Sequence, residues 1–222
     1  ANGSANLCEL TDKVYAEDRV VFFDDPEVSK AFAQEFARLW ELYGEPAYGT
    51  ITPEKLDNSR INSDVRIVFT SLKDKPRAMT VDKLLEKTLD QVDSRRGTID
   101  IALFAYTHYG ITQKLLQMAE AMPKVKIRIL LDHSQLRSEG DKKGLMSEYL
   151  EREIRARRLK NIEIRYKFRA NAYGFDKEAK QNMLVHVRSY LMHHKCLFVN
   201  RRYLVTGSYN WSESASERNL EM

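Results

Sequence analysis

The feature that most limits the fold of this chain is a regular alternation of strand-like and helix-like segments between residues 65 and 166. Short apolar runs rich in β-branched residues alternate with stretches whose apolar residues recur every three or four positions. The predicted strands are 65–69, 99–106, 125–131 and 162–166, and the predicted helices cover 81–92, 111–122 and 142–160. Because parallel strands need a long crossover connection, this alternation predicts an α/β fold with a mixed, largely parallel β-sheet sandwiched between helices.

A further helix is predicted before this unit. Asp25 suits the N-cap position and Pro26 the first helical position, while Gly44 provides a stop signal. Between them, apolar residues recur at helical spacing, and the stripe that they form includes Phe36 and Trp40. We predict that this aromatic stripe faces the core of the protein.

The chain divides into three parts where its pattern changes. Residues 45–64 contain prolines, a glycine and asparagines without a sustained period, and they are predicted to be a linker. The linker separates residues 1–44 from a second unit at 65–222. Within that unit, residues 168–192 mix aromatic, aliphatic and basic residues. We expect either a substrate-facing loop there or a surface excursion anchored by a few hydrophobic side chains.

The composition fits a globular protein. Hydrophobic residues make up 43% and charged residues 31% of the 222 residues, which excludes collagen-like and intrinsically disordered chains. No apolar run reaches the roughly 18 residues that a membrane span needs. With 36 Lys and Arg against 32 Asp and Glu, the chain is mildly basic, which allows a phosphate-bearing partner without requiring one. Cys8 and Cys196 lack metal-ligand spacing, and they are either a disulfide pair or small buried residues.

The residue pattern that carries chemistry lies near the C-terminus. His193 and Lys195 occupy alternate positions of a predicted strand, so their side chains point to the same side. After a predicted hairpin, Gly207 permits a tight turn, and Ser208 and Asn210 offer a hydroxyl and an amide. These four groups can bind a phosphate and transfer a proton or a phosphoryl group. Since no cluster of Asp, Glu and His has metal-ligand spacing, we expect metal-free chemistry and no cofactor.

This pattern resembles the signature of the phospholipase D superfamily, His-x-Lys-x4-Asp followed by Gly-Ser-x-Asn. All the spacings match, and Asn200 stands where the signature has an aspartate of mainly structural role. The family also tends to place an acidic residue thirteen positions after the serine, which in this chain is Glu221. The resemblance implies a phospholipase D-like fold in which two repeats are related by a pseudo-two-fold axis.

A second Gly-Ser-x-Asn near the N-terminus supports the idea of two repeats. It supplies Ser4 and Asn6, and Glu17 again follows the serine by thirteen positions. We therefore expect residues 1–44 to be the C-terminal part of a first phospholipase D-like repeat and residues 65–222 to be the second repeat. The missing first half-site, with its histidine and lysine, would come from the same polypeptide or from another chain.

The resemblance also implies roles for these residues. In the superfamily, one histidine attacks phosphorus to form a phosphohistidine, while the other protonates the leaving oxygen and then activates water or an alcohol. His193 would be this general acid and base, and Lys195 and Asn210 would bind phosphate oxygens. Ser208 would support the phosphate or the histidine, and Glu221 would orient the His193 imidazole. The corresponding substrate-binding residues of the first copy are Ser4, Asn6 and Glu17.

The superfamily contains phospholipases, phosphatidyltransferases and nucleases, and the motif does not separate them. The mixed composition of residues 168–192 favours a phospholipid substrate at a membrane surface, whose head group would be hydrolysed or transferred. Arginines near the end of the helix at 142–160 favour an endonuclease acting on DNA or RNA, although glutamates four residues earlier are equally typical of a solvated charged face. A catalytically silent phosphate-binding or scaffold domain is a third alternative, to which Asn200 and the incomplete first repeat point.

Overall fold

The structure is a computed structural model that describes most of the second unit and parts of the first. The described residues are 2–3, 16–17, 20–21, 24–43, 65, 67–69, 80–135, 145–167, 171–176, 181–186, 191–212 and 215. The strands are β1 (Asn2–Gly3), β2 (Ala16–Glu17), β3 (Val20–Val21), β4 (Thr98–Leu103), β5 (Lys126–Asp132), β6 (Ile162–Lys167), β7 (Asn171–Asp176), β8 (Gln181–His186), β9 (Leu191–Met192), β10 (Lys195–Val199) and β11 (Tyr203–Thr206). The helices are α1 (Pro26–Tyr43), α2 (Val81–Leu89), α3 (Tyr109–Ala121) and α4 (Met146–Ala156), and a 3-10 turn covers His133–Gln135.

A mixed sheet of five strands, in the order β11-β10-β4-β5-β6, is the centre of the second unit. Strands β4, β5 and β6 run parallel, whereas β10 runs antiparallel to both of its neighbours, β4 and β11. Helix α3 connects β4 to β5, helix α4 connects β5 to β6, and α2 precedes β4. The predicted α/β fold, a mixed sheet flanked by helices, is confirmed.

The hydrophobic core lies between this sheet and helices α2, α3 and α4. Along β4 and β5, buried side chains alternate with more exposed ones. Because successive side chains of a strand point to opposite faces of the sheet, the buried ones all lie on the face that the helices cover. These buried strand residues are Ile99, Ile101, Leu103, Ile127, Ile129 and Leu131. They pack against helix residues that are also fully buried, namely Leu85, Leu89, Ile111, Leu115, Leu116 and Leu150. Burying each such side chain stabilises the fold by about 1.5–3 kcal/mol.

Helix α1 begins where the sequence predicts. The Asp25 carboxylate accepts hydrogen bonds from the backbone N–H groups of Glu27 (2.9 Å) and Val28 (3.4 Å), and Pro26 is the first helical residue. The cap satisfies N–H groups that have no partner within the helix. The predicted N-terminal cap and the predicted helix are therefore both confirmed.

The prediction that the whole aromatic stripe of α1 faces the core is wrong for two of its members. Phe36 and Trp40 are 65% and 66% exposed and stack on each other with ring centroids 5.9 Å apart. Among the side chains of this helix that the structure describes, those of Val28 and Glu35 are buried. Since one residue turns a helix by about 100°, Phe36 already lies beside the packed face rather than on it. Neither α1, the longest described helix, nor any other helix in the described ranges is long and apolar enough to cross a membrane.

One prediction about local structure differs from the fold, and one region contains strands that were not predicted. The segment 65–69 is not a strand at the positions that the structure describes, although Val68 and Phe69 are buried. A short apolar run can be buried without a strand partner, and periodicity alone does not separate the two cases. The region 168–192, for which no strands were predicted, contains an antiparallel pair, β7 and β8. Whether this pair faces a substrate or is a surface excursion stays a prediction. In these strands, polar residues and Gly174 interrupt the alternation of apolar and polar side chains that is typical of a strand. The sequence pattern therefore did not predict them.

Candidate functional site

The sheet topology brings the predicted chemical residues to one edge. Because β10 runs antiparallel to β4, the start of β10 lies where the parallel strands end, and Lys195 pairs with Leu103 there. His193 lies two residues before the start of this strand. The end of β11 reaches the same edge, where Cys196 pairs with Thr206, and Ser208 follows two residues later. The carboxyl edge of parallel strands is where α/β sheets usually hold their ligands.

His193 and Lys195 share one neighbour, Phe104. The Phe104 ring meets the His193 ring edge to face with centroids 5.0 Å apart, and the Lys195 Nζ lies 5.7 Å from the Phe104 centroid. The predicted orientation of both side chains to one side agrees with this shared contact. Phe104 also donates its backbone N–H to the carbonyl of His194 at 3.0 Å. Phe104 was not among the predicted site residues, because its contact with His193 depends on the register between β4 and β10.

The Lys195 side chain is only 4% exposed. Its Nζ donates a hydrogen bond to the carbonyl oxygen of His193 at 2.9 Å. A buried ammonium is costly unless hydrogen bonds and π-contacts compensate it, and this bond and the Phe104 ring do so in part. A positive charge in such surroundings interacts with an anion more strongly than an exposed charge would.

The Gly-Ser-Tyr-Asn segment has an alternating burial pattern. Ser208 and Asn210 are half-buried, whereas Tyr209 and Trp211 are almost fully buried. The Asn210 Oδ1 is buried and has no hydrogen-bond partner among the described residues. Most buried polar atoms are paired, so an amide oxygen that the described fold does not use is consistent with a ligand-binding position.

A buried carboxylate holds the segment that leads to His193. Asp132, at the end of β5, is fully buried, and its Oδ2 accepts the backbone N–H of Met192 at 2.8 Å. Its Oδ1 accepts the backbone N–H of Ser134 at 2.9 Å, and the Nδ1 of His133 lies 3.4 Å from the same oxygen. Asp132 thus fixes the residue before His193 by a charge-assisted hydrogen bond. Asp132 was not among the predicted site residues.

The first copy of the motif is described only in part. Strand β2 runs parallel to β9, and Glu17 pairs with Met192, the residue before His193. Gly3 pairs with Val20 in a separate two-stranded ladder between β1 and β3. The structure therefore brings the backbone of Glu17 next to the segment that carries His193. The remaining predicted residues, Ser4, Asn6 and Glu221, together with Cys8, lie outside the described residues, and their roles stay predictions.

Asn200 lies at the opposite end of β10 from Lys195. Its backbone is left-handed (φ 55°), which asparagine tolerates better than most residues. The Nδ2 donates to the carbonyl of Gln91 at 2.8 Å, and the Oδ1 accepts the N–H of Asp93 at 3.2 Å. Asn200 therefore ties the β10–β11 turn to the loop before β4, on the order of 15 Å along the strand from Lys195.

The charged helix α4 carries ion pairs along its exposed side. Arg155 lies 3.4 Å from Glu151, and Arg157 lies 3.0 Å from Glu153, both at i,i+4 spacing. Arg157 also reaches Glu120 at 3.4 Å. This arrangement matches the solvated charged face that the sequence allowed. Within the described ranges, no group of three or more His, Cys, Asp and Glu side chains is placed to hold a metal ion.

Comparisons with known proteins agree with this architecture. The family model described as "Cardiolipin synthase, PLD-like domain" matches residues 88–222, more than half of the chain. The mitochondrial cardiolipin hydrolase of Chlamydomonas reinhardtii is 27% identical over 137 residues, which are 62% of this chain and 47% of that protein. This chain thus spans about half the length of that curated relative.

Two solved structures resemble this fold. NucT from Helicobacter pylori matches with a TM-score of 0.43 and 21% identity, over 63% of this chain and 74% of NucT. Nuc from Salmonella typhimurium, a phospholipase D family member, matches with a TM-score of 0.43 and 17% identity, over 69% of this chain and 76% of Nuc. On the evidence of the family model and the sequence motif, this chain belongs to the phospholipase D superfamily, with a PLD-like domain of the cardiolipin synthase type.

Proposed function

We propose that this chain contributes one complete half-site and part of a second to a metal-free phosphodiesterase. Its substrate would be a phospholipid, and its reaction the hydrolysis or transfer of the head group. The observation that supports the proposal is the backbone pairing of β10 with β4 and β11, which puts Lys195 and the end of β11 at the carboxyl edge of the sheet. His193 lies two residues before Lys195, and Ser208 and Asn210 follow β11. An imidazole, a buried ammonium and an amide on adjacent segments are suited to a phosphodiester and its transition state.

The proposed reaction has two steps. In the first, a histidine of the other half-site attacks phosphorus, so that a P–N bond forms while the P–O bond to the leaving group breaks. His193 gives its proton to the leaving oxygen. In the second step, His193 takes a proton from water or an alcohol, whose oxygen attacks phosphorus and releases the first histidine. Lys195 and Asn210 offset the negative charge that grows on the non-bridging oxygens.

A carboxylate beside His193 would hold its imidazole and favour the charged form. Glu221 is the residue that the family pattern suggests within this repeat. The pairing of Glu17 with Met192 supports Glu17 as a second candidate, because it brings the acidic position of the first copy next to His193 in the backbone. In this arrangement, the two copies would complete each other's sites.

The lipid substrate is favoured over nucleic acid by two observations. The matching family model and the curated relative are both named for cardiolipin, a phospholipid. In addition, Arg155 and Arg157 on α4 are paired with glutamates, so this helix offers a nucleic-acid backbone less unpaired positive charge than its arginine count suggests.

The test compares the two substrate classes with the full-length protein in the presence of EDTA. Vesicles of phosphatidylcholine and cardiolipin are assayed for head-group release and phosphatidic acid, and single-stranded DNA is assayed for cleavage. We expect turnover of the vesicles and a phosphohistidine that can be trapped by acid quench. Rapid DNA cleavage without head-group release would contradict the lipid assignment. Phosphate binding with no turnover of either substrate would support the silent scaffold instead.

Two histidine variants test the assigned base. His193→Ala should abolish turnover but leave the protein folded, with an unchanged circular dichroism spectrum and a melting temperature only a few degrees lower, because the contact with Phe104 is lost. His194→Ala is a matched control, since consecutive residues of an extended segment point to opposite sides. Turnover that survives in His193→Ala would exclude it as the acid and base.

A further inference from the structure

A buried polar network contacts Tyr209 in the Gly-Ser-Tyr-Asn segment. The hydroxyl of Tyr209, a residue only 4% exposed, donates a hydrogen bond to the Oδ1 of Asp82 in the first turn of α2. The same oxygen lies 3.1 Å from the Nε2 of His108, the N-cap residue of α3. Three segments that are distant in the sequence thus meet at one carboxylate.

The carboxylate is well placed to accept both contacts. Asp82 lies at the N-terminal end of a helix, where the helix dipole favours negative charge. The His108 ring is fixed at both nitrogens, because its Nδ1 accepts the backbone N–H of Ile111 at 3.2 Å. Hydrogen bonds to an ionised acceptor are stronger than those between neutral groups.

The charge of Asp82 also acts on His108. Burial lowers the pKa of His108, but the hydrogen bond and the charge of Asp82 outweigh this effect and raise it, with a smaller contribution from Glu86. Asp82 and Glu86 are the charged groups that face the ring from α2, and the Tyr209 hydroxyl shares the Asp82 oxygen.

The hydrogen bond from Tyr209 to Asp82 restrains the segment that carries Ser208 and Asn210. Along residues 208–211, half-buried positions alternate with buried ones, so anchors on the buried side chains restrain the backbone that carries their neighbours. Tyr209 is held by Asp82, and the carbonyl of Trp211 accepts the N–H groups of Thr107 (2.7 Å) and His108 (3.0 Å). Ser208 and Asn210 lie directly beside these anchored residues in the chain.

We infer that Asp82, His108 and Tyr209 are positioning residues that hold Ser208 and Asn210 in place for the phosphate. The inference rests on the proposed function. None of the three would touch the substrate, and their effect would pass through the backbone of residues 208–210. A displacement of about 1 Å in such groups can reduce a rate by about 100-fold.

The test compares Tyr209→Phe with Tyr166→Phe in the full-length protein. Each change removes one tyrosine hydroxyl that donates to a carboxylate, and the Tyr166 hydroxyl binds Glu151 at 2.6 Å. Tyr166 lies on β6 and is separated from β10 by β4 and β5. For bis(4-nitrophenyl) phosphate, we expect kcat/KM to fall about 10- to 100-fold in Tyr209→Phe and to remain at the wild-type value in Tyr166→Phe.

Two further measurements separate positioning from general destabilisation. Hydrogen exchange of the amides at 207–212 should accelerate in Tyr209→Phe and not in Tyr166→Phe. Asp82→Asn, which keeps an acceptor oxygen for the Tyr209 hydroxyl, should retain more activity than Asp82→Ala. Both comparisons are made well below the melting temperatures of the variants.

The outcomes distinguish this inference from the proposed function. Wild-type rates in Tyr209→Phe, or equal amide exchange in the two tyrosine variants, would overturn the inference while the phosphodiesterase activity stood. A wild-type protein that cleaves no phosphodiester would overturn the proposed function, and with it the catalytic meaning of the network.

Discussion

Replacing Asn200 separates the structural part of the signature from its chemistry. Asn200 uses both ends of its amide, as a donor to the Gln91 carbonyl (2.8 Å) and as an acceptor for the Asp93 N–H (3.2 Å). The substitution Asn200→Asp introduces the residue that the superfamily signature carries. It keeps the acceptor and the tolerance for a left-handed backbone, but it removes the donor and places a carboxylate against a carbonyl oxygen.

The magnitudes follow from these two hydrogen bonds. A typical hydrogen bond contributes about 0.5–1.5 kcal/mol to the free energy of unfolding, so Asn200→Asp should cost about 1 kcal/mol. Asn200→Gly keeps the backbone conformation but loses both bonds, and it should cost about 1–3 kcal/mol. Asn200→Ala should cost about 1 kcal/mol more than Asn200→Gly, because it adds the strain of a side chain at φ 55°.

Urea unfolding measures these costs, and steady-state kinetics at a temperature where every variant is folded measure the activity. Because the turn is on the order of 15 Å from Lys195, we expect kcat/KM to be the same for all three variants and the wild type. A large gain in turnover in Asn200→Asp, with an unchanged free energy of unfolding, would refute the separation and make the residue part of the site.

Two further predictions concern the groups around the site. Phe104→Leu removes the edge-to-face contact with His193 and the cation–π contact with Lys195, each worth about 0.5–1.5 kcal/mol. We expect this change to lower kcat/KM about tenfold. Phe104→Tyr keeps an aromatic ring and should retain the wild-type kcat/KM. Equal kcat/KM in the two variants would contradict this role. Because the folded-state pKa of His108 is raised above its unfolded value of about 6.5, its contribution to stability is complete below that value and is lost as pH rises through the folded pKa. The difference in the free energy of unfolding between wild type and Asp82→Asn should therefore be larger at about pH 5.5 than at about pH 8.5, and equal differences would contradict the assignment.

The position of the proposed site at one edge of the sheet was predictable, because it depends on residues that are close together in the sequence. Strand-like runs and the spacing of His193, Lys195 and Ser208 are legible in the sequence, and the hairpin between β10 and β11 brings the two motifs together. The roles of Phe104 and Asp132 were not predictable in this way. Phe104 contacts His193 only because β4 and β10 pair in one particular register, which no local pattern encodes.

The errors have related physical causes. Phe36 and Trp40 match an amphipathic period, but the period gives only the direction of a helix face and not the width of the surface that packs on it. The run at 65–69 has the composition of a strand, and Val68 and Phe69 are buried, but the positions that the structure describes there do not form a strand. In both cases, the tertiary neighbours decide the outcome rather than the local sequence.

The contact between Tyr209 and Asp82 has a consequence for folding. These residues are 127 positions apart, and contacts of such high sequence separation form only after the entropy of closing the intervening loop has been offset. We therefore expect Ser208 and Asn210 to reach their final positions late in folding, once the last hairpin has joined the sheet. Catalytic competence during refolding should appear after the bulk of the helical signal has returned, so that turnover reports completed assembly rather than early collapse.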